Sequence, residues 1–512
     1  MPEEERSAAR GWNRWHGALD RAWHAESSPR SRRLTYLAAG GLLAGVCVVH
    51  AATLGAVFPV DDAYITLHNA MALRGLDESY AGVPPLVGAT SSVHVALVAG
   101  LLPMAKPAVA LLAAAWIAIV LYVFGLLRLA FAKGASVLQA ATLTIVGVTA
   151  GDLVYQLLNG LETGLALATV VWSLALMDVG SRAGRILRGI LCGTMPFIRP
   201  ELGALVLLFV ALEIVPHGRA GAEVTTKDRV TFLVAALVAA LPWLLLNARA
   251  TGMPFPSTIG AKKVFFAEGC RPPAQKLRLV LERIMIFHRE VGAIAWAWAL
   301  LVGLRRGWIG LAFATVMYGA YFLAFPQALD HYNYRYVYIL LPFAFFACAA
   351  SFRAASARRR AAATALVVIG LADAFVGLDD HVDKYLRSRR FTLDALEETA
   401  AWSRDNLPKD ARVLVHDAGY FAYATPFQLF DVVGLKTPSS IREHTEITWA
   451  SCGERRDEAV HRIALRLAPD HLVALRSWPF HIADALRRHG WRLEEIHHSP
   501  INGYDVFRLQ PP

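Results

Sequence analysis

Long runs without charged side chains, separated by short polar segments, dominate the chain. Residues 34–60 contain no Asp, Glu, Lys or Arg over 27 positions, and residues 107–127 and 307–329 contain none over 21 and 23 positions. Because a helix crosses the hydrocarbon core of a bilayer with about 20 apolar residues, each run predicts a membrane span. Eight shorter or interrupted runs, which bring the predicted total to 11 spans, lie at 135–150, 162–179, 186–198, 201–216, 230–248, 289–304, 335–352 and 361–377.

The charges between these runs predict the orientation of the chain. Residues 1–33 contain seven Arg and precede the first run, which is typical of a segment that stays in the cytoplasm. With that segment inside, five basic loops also face the cytoplasm, at 128–133, 182–188, 217–229, 305–306 and 353–360. This agreement requires residues 92–104 to form a helix on the outer surface instead of a span.

The same threading divides the chain into three parts. Residues 1–33 form a cytoplasmic segment, residues 34–377 a transmembrane domain, and residues 378–512 a domain on the outer side. Two long loops of the transmembrane domain, residues 59–106 and 250–289, reach that same side. The sequence therefore predicts a polytopic α-helical membrane protein with its larger polar parts outside.

Residues 378–512 have the pattern of a small α/β domain. Short apolar runs alternate with segments of helical spacing, and Gly and Pro residues separate them. The predicted elements are a helix at 391–406, strands at 411–416, 471–474 and 504–509, and a helix at 480–489.

The composition excludes most other classes of protein. Of 512 residues, 55% are hydrophobic and only 18% are charged, with a mean hydropathy of +0.40, which excludes a soluble or disordered chain. The net charge of +10 reflects membrane orientation, so we expect no nucleic-acid partner. Of five cysteines, Cys270 and Cys452 fall in predicted outer segments, where a disulfide is permitted. The sequence leaves open whether they pair or are unrelated thiols.

Two adjacent carboxylates, Asp61 and Asp62, follow the first predicted span. Ionisable groups beside hydrocarbon are costly and mark functional sites, and loss of hydration makes a carboxylate a better base near neutral pH. The alternative is structural, because an Asp before a helical segment is a good N-cap, and one residue could cap while the other does chemistry. Tyr64 and His68, about a turn further on, could line the same cavity.

Further polar residues recur at the predicted outer ends of spans. Each alone is weakly specific, since a boundary Arg or Lys usually anchors the helix. Together they supply acids for acid/base chemistry, cations for a phosphate and aromatic surfaces for a sugar or prenyl chain. These candidates are Glu162, Arg199, Glu201, Lys262, His331, Arg335 and Tyr336.

The motifs that contain these residues resemble those of the GT-C superfamily of polytopic glycosyltransferases, and in particular its bacterial branch of terminal arabinofuranosyltransferases. The similar motifs occur in order from residue 59 to residue 438. They are Asp61–Ile65, Gly88–His94, Gly160–Thr163, Arg199–Glu201, Pro256–Lys262, Arg335-Tyr336 with Leu341-Pro342, Asp417–Gly419 and Asp431–Leu435.

Two departures from the branch fall where we expect substrate to be held. Ser92 and His94 stand where such relatives have Pro and Trp. Residues 257–260 read Ser-Thr-Ile-Gly in place of Asn-Thr-Tyr-Tyr. Both departures leave the identity of the sugar and of the acceptor open, whereas the predicted membrane fold is not affected.

The resemblance implies an inverting glycosyltransferase on the outer face of the bacterial cytoplasmic membrane. The donor would be a polyprenyl-phosphate sugar, such as one carrying arabinofuranose. The acceptor would be a hydroxyl of a glycan, a lipid-linked glycan or a secreted protein. Asp61 or Asp62 would take the acceptor proton, and Arg335, Lys262 and Arg199 would bind the departing phosphate.

The remaining candidates would contact substrate, and the resemblance leaves metal dependence open. The residues expected to bind sugar or acceptor are Tyr64, His68, Glu162, Glu201, His331 and Tyr336. Two Asp and a His could hold a divalent cation, which some members of the superfamily use, but we expect no metal.

Two other functions fit parts of the sequence. A transporter or flippase for a polyprenyl-linked sugar would explain the spans, but it predicts related halves and polar residues at mid-membrane. A membrane-anchored binding protein would explain residues 378–512 but leaves Asp61 and Asp62 without a role.

Overall fold

The computed structural model describes residues 18, 20–80, 82–214, 225–256, 258–501 and 503–512, and of residue 259 the backbone only. The predicted cytoplasmic segment therefore lies largely outside the described residues, as does part of the loop at 217–229. The longer helices before the sheet are α1 (Pro29–Thr53), α2 (Asp61–Leu73), α3 (Ser92–Leu101), α4 (Pro107–Ala132), α5 (Val137–Thr149), α6 (Leu153–Leu158), α7 (Thr163–Ala175), α8 (Arg182–Ile198), α9 (Leu202–Ile214), α10 (Thr226–Thr251), α11 (Thr258–Phe266), α12 (Pro273–Val291), α13 (Gly307–Ala324), α14 (Leu341–Ser351), α15 (Ala357–Phe391) and α16 (Glu398–Asn406).

The protein is a multi-pass helical membrane protein, but its helices differ in length. Among the described residues, six are long and apolar enough to cross a membrane: Pro29–Thr53, Pro107–Ala132, Thr226–Thr251, Pro273–Leu301, Gly307–Ala324 and Ala357–Asn406. Two segments that meet at 84°, Pro326–Tyr334 and Tyr338–Ser351, could form a seventh, broken span. Helices α5, α7 and α9 have only 13 residues, about 20 Å of helix. Each predicted run coincides with helix, whereas the number of 11 full-length spans is not confirmed.

Two predicted span ends are wrong for local reasons. Helix α1 stops at Thr53 instead of residue 60, because Gly55 takes a φ of +67° and turns the chain before α2 begins. The last predicted run ends at residue 377, but α15 continues to Phe391, since no Gly or Pro interrupts residues 378–391. The predicted domain boundary at residue 378 therefore falls inside a helix.

Residues 92–104 form the short helix α3 and a three-residue turn, too little to cross a membrane. Ser91 caps the helix, because its Oγ accepts the His94 N–H at 3.1 Å. The helix packs against α2, α4 and α8. This agrees with the prediction that residues 92–104 are not a span.

The basic loops meet at one end of the helices. Arg353 donates its Nε–H to the Gly134 carbonyl at 2.8 Å, and Asp178 forms ion pairs with both Lys133 and Arg306. Lys133, Arg306 and Arg353 come from loops that the sequence predicts to lie on one side of the membrane, and Gly134 and Asp178 lie close to such loops. We call this end of the molecule, defined by the five residues named here, the basic face.

Several helices run from the basic face toward the opposite end. Helix α8 starts where Arg185 pairs with Asp228 and ends after 17 residues, about 26 Å, next to Arg199. Helix α13 starts after Arg306 and ends before Phe325. The predicted outer residues are therefore gathered at the end of the bundle away from the basic face.

The C-terminal part is a mixed five-stranded sheet with strand order β2-β1-β3-β5-β4. Strand β1 pairs in parallel with β2 and β3, and β5 pairs antiparallel with β3 and β4. The elements are β1 (Arg412–Val415), α17 (Tyr420–Ala424), β2 (Gln428–Asp431), α18 (Ser439–Glu443), α19 (Arg456–Leu467), β3 (His471–Leu475), α20 (Ile482–Arg488), β4 (Arg492–His498) and β5 (Tyr504–Gln510).

All five predicted elements of this part are present, but two strands were missed. Strand β4 reads Arg-Leu-Glu-Glu-Ile-His-His and lies at the sheet edge, where an apolar pattern is not needed. Strand β2 has only four residues and follows α17 closely. Both strands therefore depend on pairing with a neighbouring strand, β1 for β2 and β5 for β4, and their own sequences carry no strong hydrophobic alternation.

The sheet domain is hydrogen-bonded to the first outer loop. Ser79 donates its hydroxyl to the Ala422 carbonyl at 2.9 Å, and its own carbonyl accepts the Leu429 N–H at 2.9 Å. Tyr80 donates to the Ala418 carbonyl at 3.2 Å. These bonds hold the domain against the end of the bundle where the candidate residues lie.

Candidate active site

Asp62 lies in the first turn of α2 and contacts two cations from distant parts of the chain. Its Oδ2 is 3.2 Å from Nη1 of Arg335 and 3.5 Å from Nζ of Lys262, and Tyr332 donates its hydroxyl to Oδ1 at 3.3 Å. Its side chain remains 18% exposed. Burial by itself would raise the pKa of the Asp62 carboxyl, but the Lys262 and Arg335 charges outweigh burial and lower it below the ordinary value.

Asp61 faces the C-terminal domain instead. Its two carboxylate oxygens accept the backbone N–H groups of Gly419 at 2.8 Å and Tyr420 at 2.7 Å, at the start of α17. Burial raises its pKa, and the nearby Asp417 charge adds to that effect. One member of the pair thus stabilises a helix start, as the sequence allowed. The helix is α17, because the N-cap of α2 is Val60, which makes no side-chain bond.

Arg199 joins two predicted carboxylates in a buried network. Its Nη1 lies 3.0 Å from Oε1 of Glu162, and its Nη2 lies 2.9 Å from Oε1 of Glu201. Tyr321 donates its hydroxyl to Glu201 at 2.8 Å, and the Tyr336 ring centre is 4.7 Å from the guanidinium. Because Arg199 is fully buried and bound to two carboxylates, it positions them; it does not present a free cation to a phosphate.

An irregular turn carries the aromatic residues of the site. Tyr332, Asn333 and Tyr334 have φ values of 45°, 58° and 61°, which non-glycine residues rarely adopt. Gln156 of α6 stabilises the turn, because its Nε2 donates hydrogen bonds to the carbonyls of Tyr332 at 2.7 Å and Asn333 at 2.9 Å. Backbone strain of this kind concentrates at functional sites.

This turn fixes the Arg335 guanidinium between aromatic rings. Its carbon lies 5.1 Å and 4.8 Å from the ring centres of Tyr332 and Tyr336, and its Nη2 donates to the Tyr336 hydroxyl at 2.8 Å. The His331 ring is 4.1 Å from that of Tyr332. The rings cover the faces of the Arg335 guanidinium. Its Nη1 edge points toward Asp62, which is its carboxylate partner.

A small polar pocket and a larger apolar groove meet beside Lys262. The pocket is a cavity of about 20 Å³, and the groove has about 230 Å³ and runs between α9 and α13. Thr90, Thr258 and Lys262 line both cavities, so the pocket opens into the groove. The pocket is lined by Asp62, Ile65, Thr66, Gly88, Thr90, Leu161, Glu162, Thr258, Lys262, Arg335 and Leu435. The apolar wall of the groove includes Ala204, Val316, Met317, Ala320, Ala324, Phe325 and Ala328, with Glu201, Tyr321 and Tyr336 at its polar end.

Of the predicted substrate-binding residues, Glu162 lines the pocket, Glu201 and Tyr336 line the groove, and Tyr64, His68 and His331 line neither. Tyr64 is 2% exposed, with its ring 4.7 Å from that of Tyr420. His68 is 2% exposed, packs its ring 5.5 Å from that of Tyr80, and lies 3.7 Å from Asp77. Burial lowers the pKa of His68 to about 3, so it is neutral at physiological pH. The structure assigns both residues to packing and does not support the predicted contact with substrate.

Helical periodicity explains this correction. Asp62, Ile65 and Thr66 share the face of α2 that lines the pocket. Tyr64 and His68 are four residues apart and share a different face, which contacts the C-terminal domain and the loop at residues 77–80. Proximity in sequence to the Asp pair was therefore the wrong guide.

The two departures from the related motifs also differ in position. Ser92 accepts a hydrogen bond from Nδ2 of Asn247 at 3.0 Å, and His94 contacts the Gly160 carbonyl at 3.1 Å through Nε2. Both are 1% exposed and line neither cavity. Of residues 257–260, Thr258 lines pocket and groove, while residue 257 lies outside the described residues. Only the second departure therefore borders the two cavities.

Sequence reasoning did not single out three residues that support the site. Asp417, 27% exposed, contacts Nε2 of His416 at 3.2 Å and accepts the Tyr504 hydroxyl. Its charge reaches both residues of the Asp pair. The Asp-x-Gly motif was the available signal for Asp417. No local signal identified Gln156 or Tyr332, whose roles depend on the fold.

Close backbone approach behind the pocket requires a glycine. Gly88 has a φ of +82°, and a Cβ placed there would lie 2.7 Å from the Lys436 side chain. Lys436 is itself buried, with Nζ bonded to Asn69 and to the Val87 carbonyl. The C-terminal domain thus forms part of the wall behind the pocket.

Asp61, Asp62 and His68, which could in principle hold a divalent cation, do not assemble into one ligand set. Both oxygens of Asp61 are bonded to backbone N–H groups, and His68 packs beside Asp77 away from the pocket. Elsewhere in the described chain, Asp152, Glu290 and His381 approach one another closely enough for a cation. The Lys384 ammonium is bonded to Asp152 there and competes with a metal for that carboxylate.

The helical bundle and its docked α/β domain match a solved structure of the GT-C glycosyltransferase fold, which confirms the resemblance at the level of the fold. The chain matches the structure of ArnT from Cupriavidus metallidurans bound to undecaprenyl phosphate with a TM-score of 0.52 and 14% identity, over 91% of this chain and 97% of that one. The mycobacterial arabinofuranosyltransferase AftD matches with a TM-score of 0.45 and 14% identity, over 94% of this chain and 42% of that one.

Sequence comparisons are less informative than these structural matches. A family described as a domain of unknown function, DUF8728, matches residues 384–507. No curated protein matches the sequence.

Proposed function

We propose that the protein is an inverting glycosyltransferase that moves a sugar from a polyprenyl-phosphate donor to an acceptor hydroxyl on the outer face of the bacterial cytoplasmic membrane. The observation that carries this proposal is Asp62, held by Arg335 and Lys262 where the polar pocket meets the apolar groove. A base, two cations and an apolar channel are the groups that such a reaction requires.

The donor fits the two cavities in one orientation. Its prenyl chain would lie in the groove against α13, and its phosphate would contact Lys262, which lines both cavities. Arg335 would bind the phosphate from the pocket side, where its charge stabilises the leaving group. The ArnT structure, whose ligand is undecaprenyl phosphate, has the same fold and supports a lipid-linked donor.

Donor binding would also activate the base. In the free protein the Asp62 carboxylate occupies the position of an anion between Arg335 and Lys262. A phosphate that takes over these cations removes the charges that lower the Asp62 pKa, while burial continues to raise it. Asp62 therefore becomes a stronger base only when the donor is in place.

The transfer step then balances as an in-line displacement. The acceptor oxygen attacks the anomeric carbon, and Asp62 takes the hydroxyl proton. The bond between that carbon and the phosphate oxygen breaks, and polyprenyl phosphate leaves as an anion bound by Arg335 and Lys262. Glu162 lines the same pocket and would hold a sugar hydroxyl, positioned by Arg199.

Asp61 has a different role in this mechanism. Its bonds to Gly419 and Tyr420 keep the C-terminal domain docked, which places Asp417 near the pair. Asp61 is thus a positioning residue. The C-terminal domain would lie outside the cell with the pocket, and the basic face would lie in the cytoplasm, as the positive-inside rule predicts.

The grouping of polar residues at one end of the bundle favours transfer over transport. A transporter would place its ionisable residues near mid-membrane. Here Glu162, Lys262 and Arg335 line a pocket at the end away from the basic face, and Arg199 is bonded to Glu162. Arabinofuranose is one candidate sugar, and the acceptor would be an envelope glycan, a lipid-linked glycan or a secreted protein.

The proposal is tested with purified protein in nanodiscs and a panel of radiolabelled polyprenyl-phosphate sugars, with cell-envelope extract as acceptor. We expect turnover of one donor by the wild type and none by Asp62→Asn. Asp178→Asn, which removes a carboxylate on the basic face, is the matched control and should retain turnover. Failure of every donor to react, or equal turnover by Asp62→Asn, would overturn the proposal.

A further inference from the structure

Cys270 and Cys452 are 182 positions apart in the sequence, yet the fold brings them together. Cys270 ends the short turn after α11, and Cys452 follows the helical turn His444–Trp449 of the C-terminal domain. The Trp449 carbonyl accepts both the Cys452 N–H at 3.1 Å and the Cys270 thiol at 3.9 Å. The neighbouring Cys452 thiol, together with burial, raises the pKa of the Cys270 thiol to about 11.

The surrounding contact is close and well packed, so the two thiols do not meet by chance at a loose surface. A Cβ placed at Gly269 would lie 3.0 Å from the Trp449 ring, so that ring packs directly against the Gly269 backbone. Arg456 donates to the carbonyls of Phe265 at 3.0 Å and Phe266 at 3.2 Å. Residues 263–271 and 444–456 therefore form one interface with the thiols at its edge.

The thiols are also accessible from outside the protein. Cys452 is exposed, and both cysteines line an open cavity of about 410 Å³ between the loop and the C-terminal domain. The other three cysteines, Cys47, Cys192 and Cys348, lie in helices of the membrane bundle. Both accessible cysteines belong to segments that the charge pattern places outside the cytoplasm, where disulfides persist.

We propose that Cys270 and Cys452 form an intramolecular disulfide that links the loop after α11 to the C-terminal domain. The oxidant is a protein disulfide of the extracytoplasmic compartment: one thiolate attacks it, the second thiolate displaces it, and a Cys270–Cys452 bond forms. The two cysteines lose two protons and two electrons, and the oxidant leaves as a dithiol.

The bond would stabilise the position of α11 and hence of Lys262. Helix α11 carries Lys262 and ends four residues before Cys270. The cross-link would tie α11 to the docked C-terminal domain. The position of the Lys262 ammonium beside Asp62 would then depend on that docking. The proposal rests on the outer location of both segments and not on glycosyl transfer.

Counting thiols in the full-length protein tests this inference. Membranes from aerobically grown cells are treated with N-ethylmaleimide at lysis, and the purified, denatured protein is weighed before and after reduction and a second alkylation. We expect three of the five thiols to react before reduction and all five after it. Peptide mapping should identify Cys270 linked to Cys452.

A single variant provides the matched control. Cys270→Ser should show four reactive thiols with or without reduction, because its partner is then free. Five reactive thiols in the unreduced wild type, or a bridge that involves Cys47, Cys192 or Cys348, would overturn the proposal. The readout is a mass and does not require activity, so its failure is distinct from failure of the proposed function.

Discussion

The two ends of the bundle use the same residue types for different purposes. On the basic face, Asp178 is 52% exposed and pairs with Lys133 and Arg306. At the opposite end, Asp62 is 18% exposed and pairs with Lys262 and Arg335. Both are one carboxylate between two cations. The difference lies in the burial of the carboxylate and in the pocket that Asp62 lines.

Burial changes what such a cluster can do. An exposed ion pair contributes about 0–1 kcal/mol and is screened by salt. Removing one partner of a buried pair costs roughly 3–5 kcal/mol, because the other charge remains without compensation. When the groups of a buried cluster face a cavity, a charged ligand can replace one partner and compensate the charge of the other. The proposed function uses the opposite end to bind an anion, whereas the charge pattern predicts only an orienting role for the basic face.

The largest expected effect is at Asp62. Asp62→Asn retains the shape but cannot take a proton, and we expect kcat to fall about 10³-fold, within the range for loss of a general base. Because the cations remain, donor binding should be retained. Measuring kcat together with the donor Kd in nanodiscs checks both parts. A mutant that loses donor binding but keeps kcat would contradict the assignment.

Arg335 should come next. Arg335→Gln removes a cation that stabilises the leaving phosphate, and we expect a fall in kcat of about 10²-fold or more. Arg387→Gln is the control, since Arg387 is 66% exposed and pairs only with Asp383 among the described contacts. Steady-state kcat values for Arg335→Gln and Arg387→Gln, each compared with the wild type, check this prediction. Similar losses would show that a general change in charge, and not the site, is responsible.

The pH dependence should separate the free and donor-bound states. Asp62 is a base only when ionised, so activity is lost as pH falls through its pKa. In the free protein Lys262 and Arg335 hold that pKa below its ordinary value despite burial. If donor phosphate takes over these cations, the pKa rises. The acid limb of kcat should then lie at higher pH than that of kcat/KM, and coincident limbs would refute activation by the donor.

The sequence predicted the basic face almost completely, and for a physical reason. Positive residues in short loops determine insertion, so their signal lies in the chain itself. The contacts of Arg353 with Gly134 and of Asp178 with Arg306 join the same loops that the charge pattern grouped. The helical class and the main elements of the C-terminal domain were also predictable, since each has a local hydrophobic period.

The site was predictable only in part, because its geometry depends on contacts between distant residues. Asp62, Lys262 and Arg335 were expected to act together, and they meet. The roles of Asp61 and Arg199 could not be read from the sequence, since one caps a helix 358 positions away and the other is enclosed by carboxylates. The turn at Tyr332 is set by Gln156, which no local pattern indicates.

A smaller effect should appear where the C-terminal domain docks on α2. A Cβ at Gly419 would lie 2.2 Å from the Asp61 carbonyl oxygen, so Gly419→Ala must shift one backbone. We expect a loss of about 1–3 kcal/mol in stability and a lower Tm, as for other overpacked contacts. Gly100→Ala is the control, because nothing lies within 4 Å of a Cβ there. Equal Tm values for the two variants would show that the docking contact is loose.

The smallest effect should come from the basic face. A variant there therefore tests most directly whether the Asp178 and Asp62 clusters differ in function. Asp178→Ala removes the carboxylate shared by Lys133 and Arg306, but that carboxylate is 52% exposed, so water can take its place. We expect a change in unfolding free energy of less than about 1 kcal/mol and unchanged kcat. If Asp178→Ala instead lowered kcat as strongly as Asp62→Asn, the two ends would be coupled. Burial would then not be what separates an anchoring cluster from a reactive one.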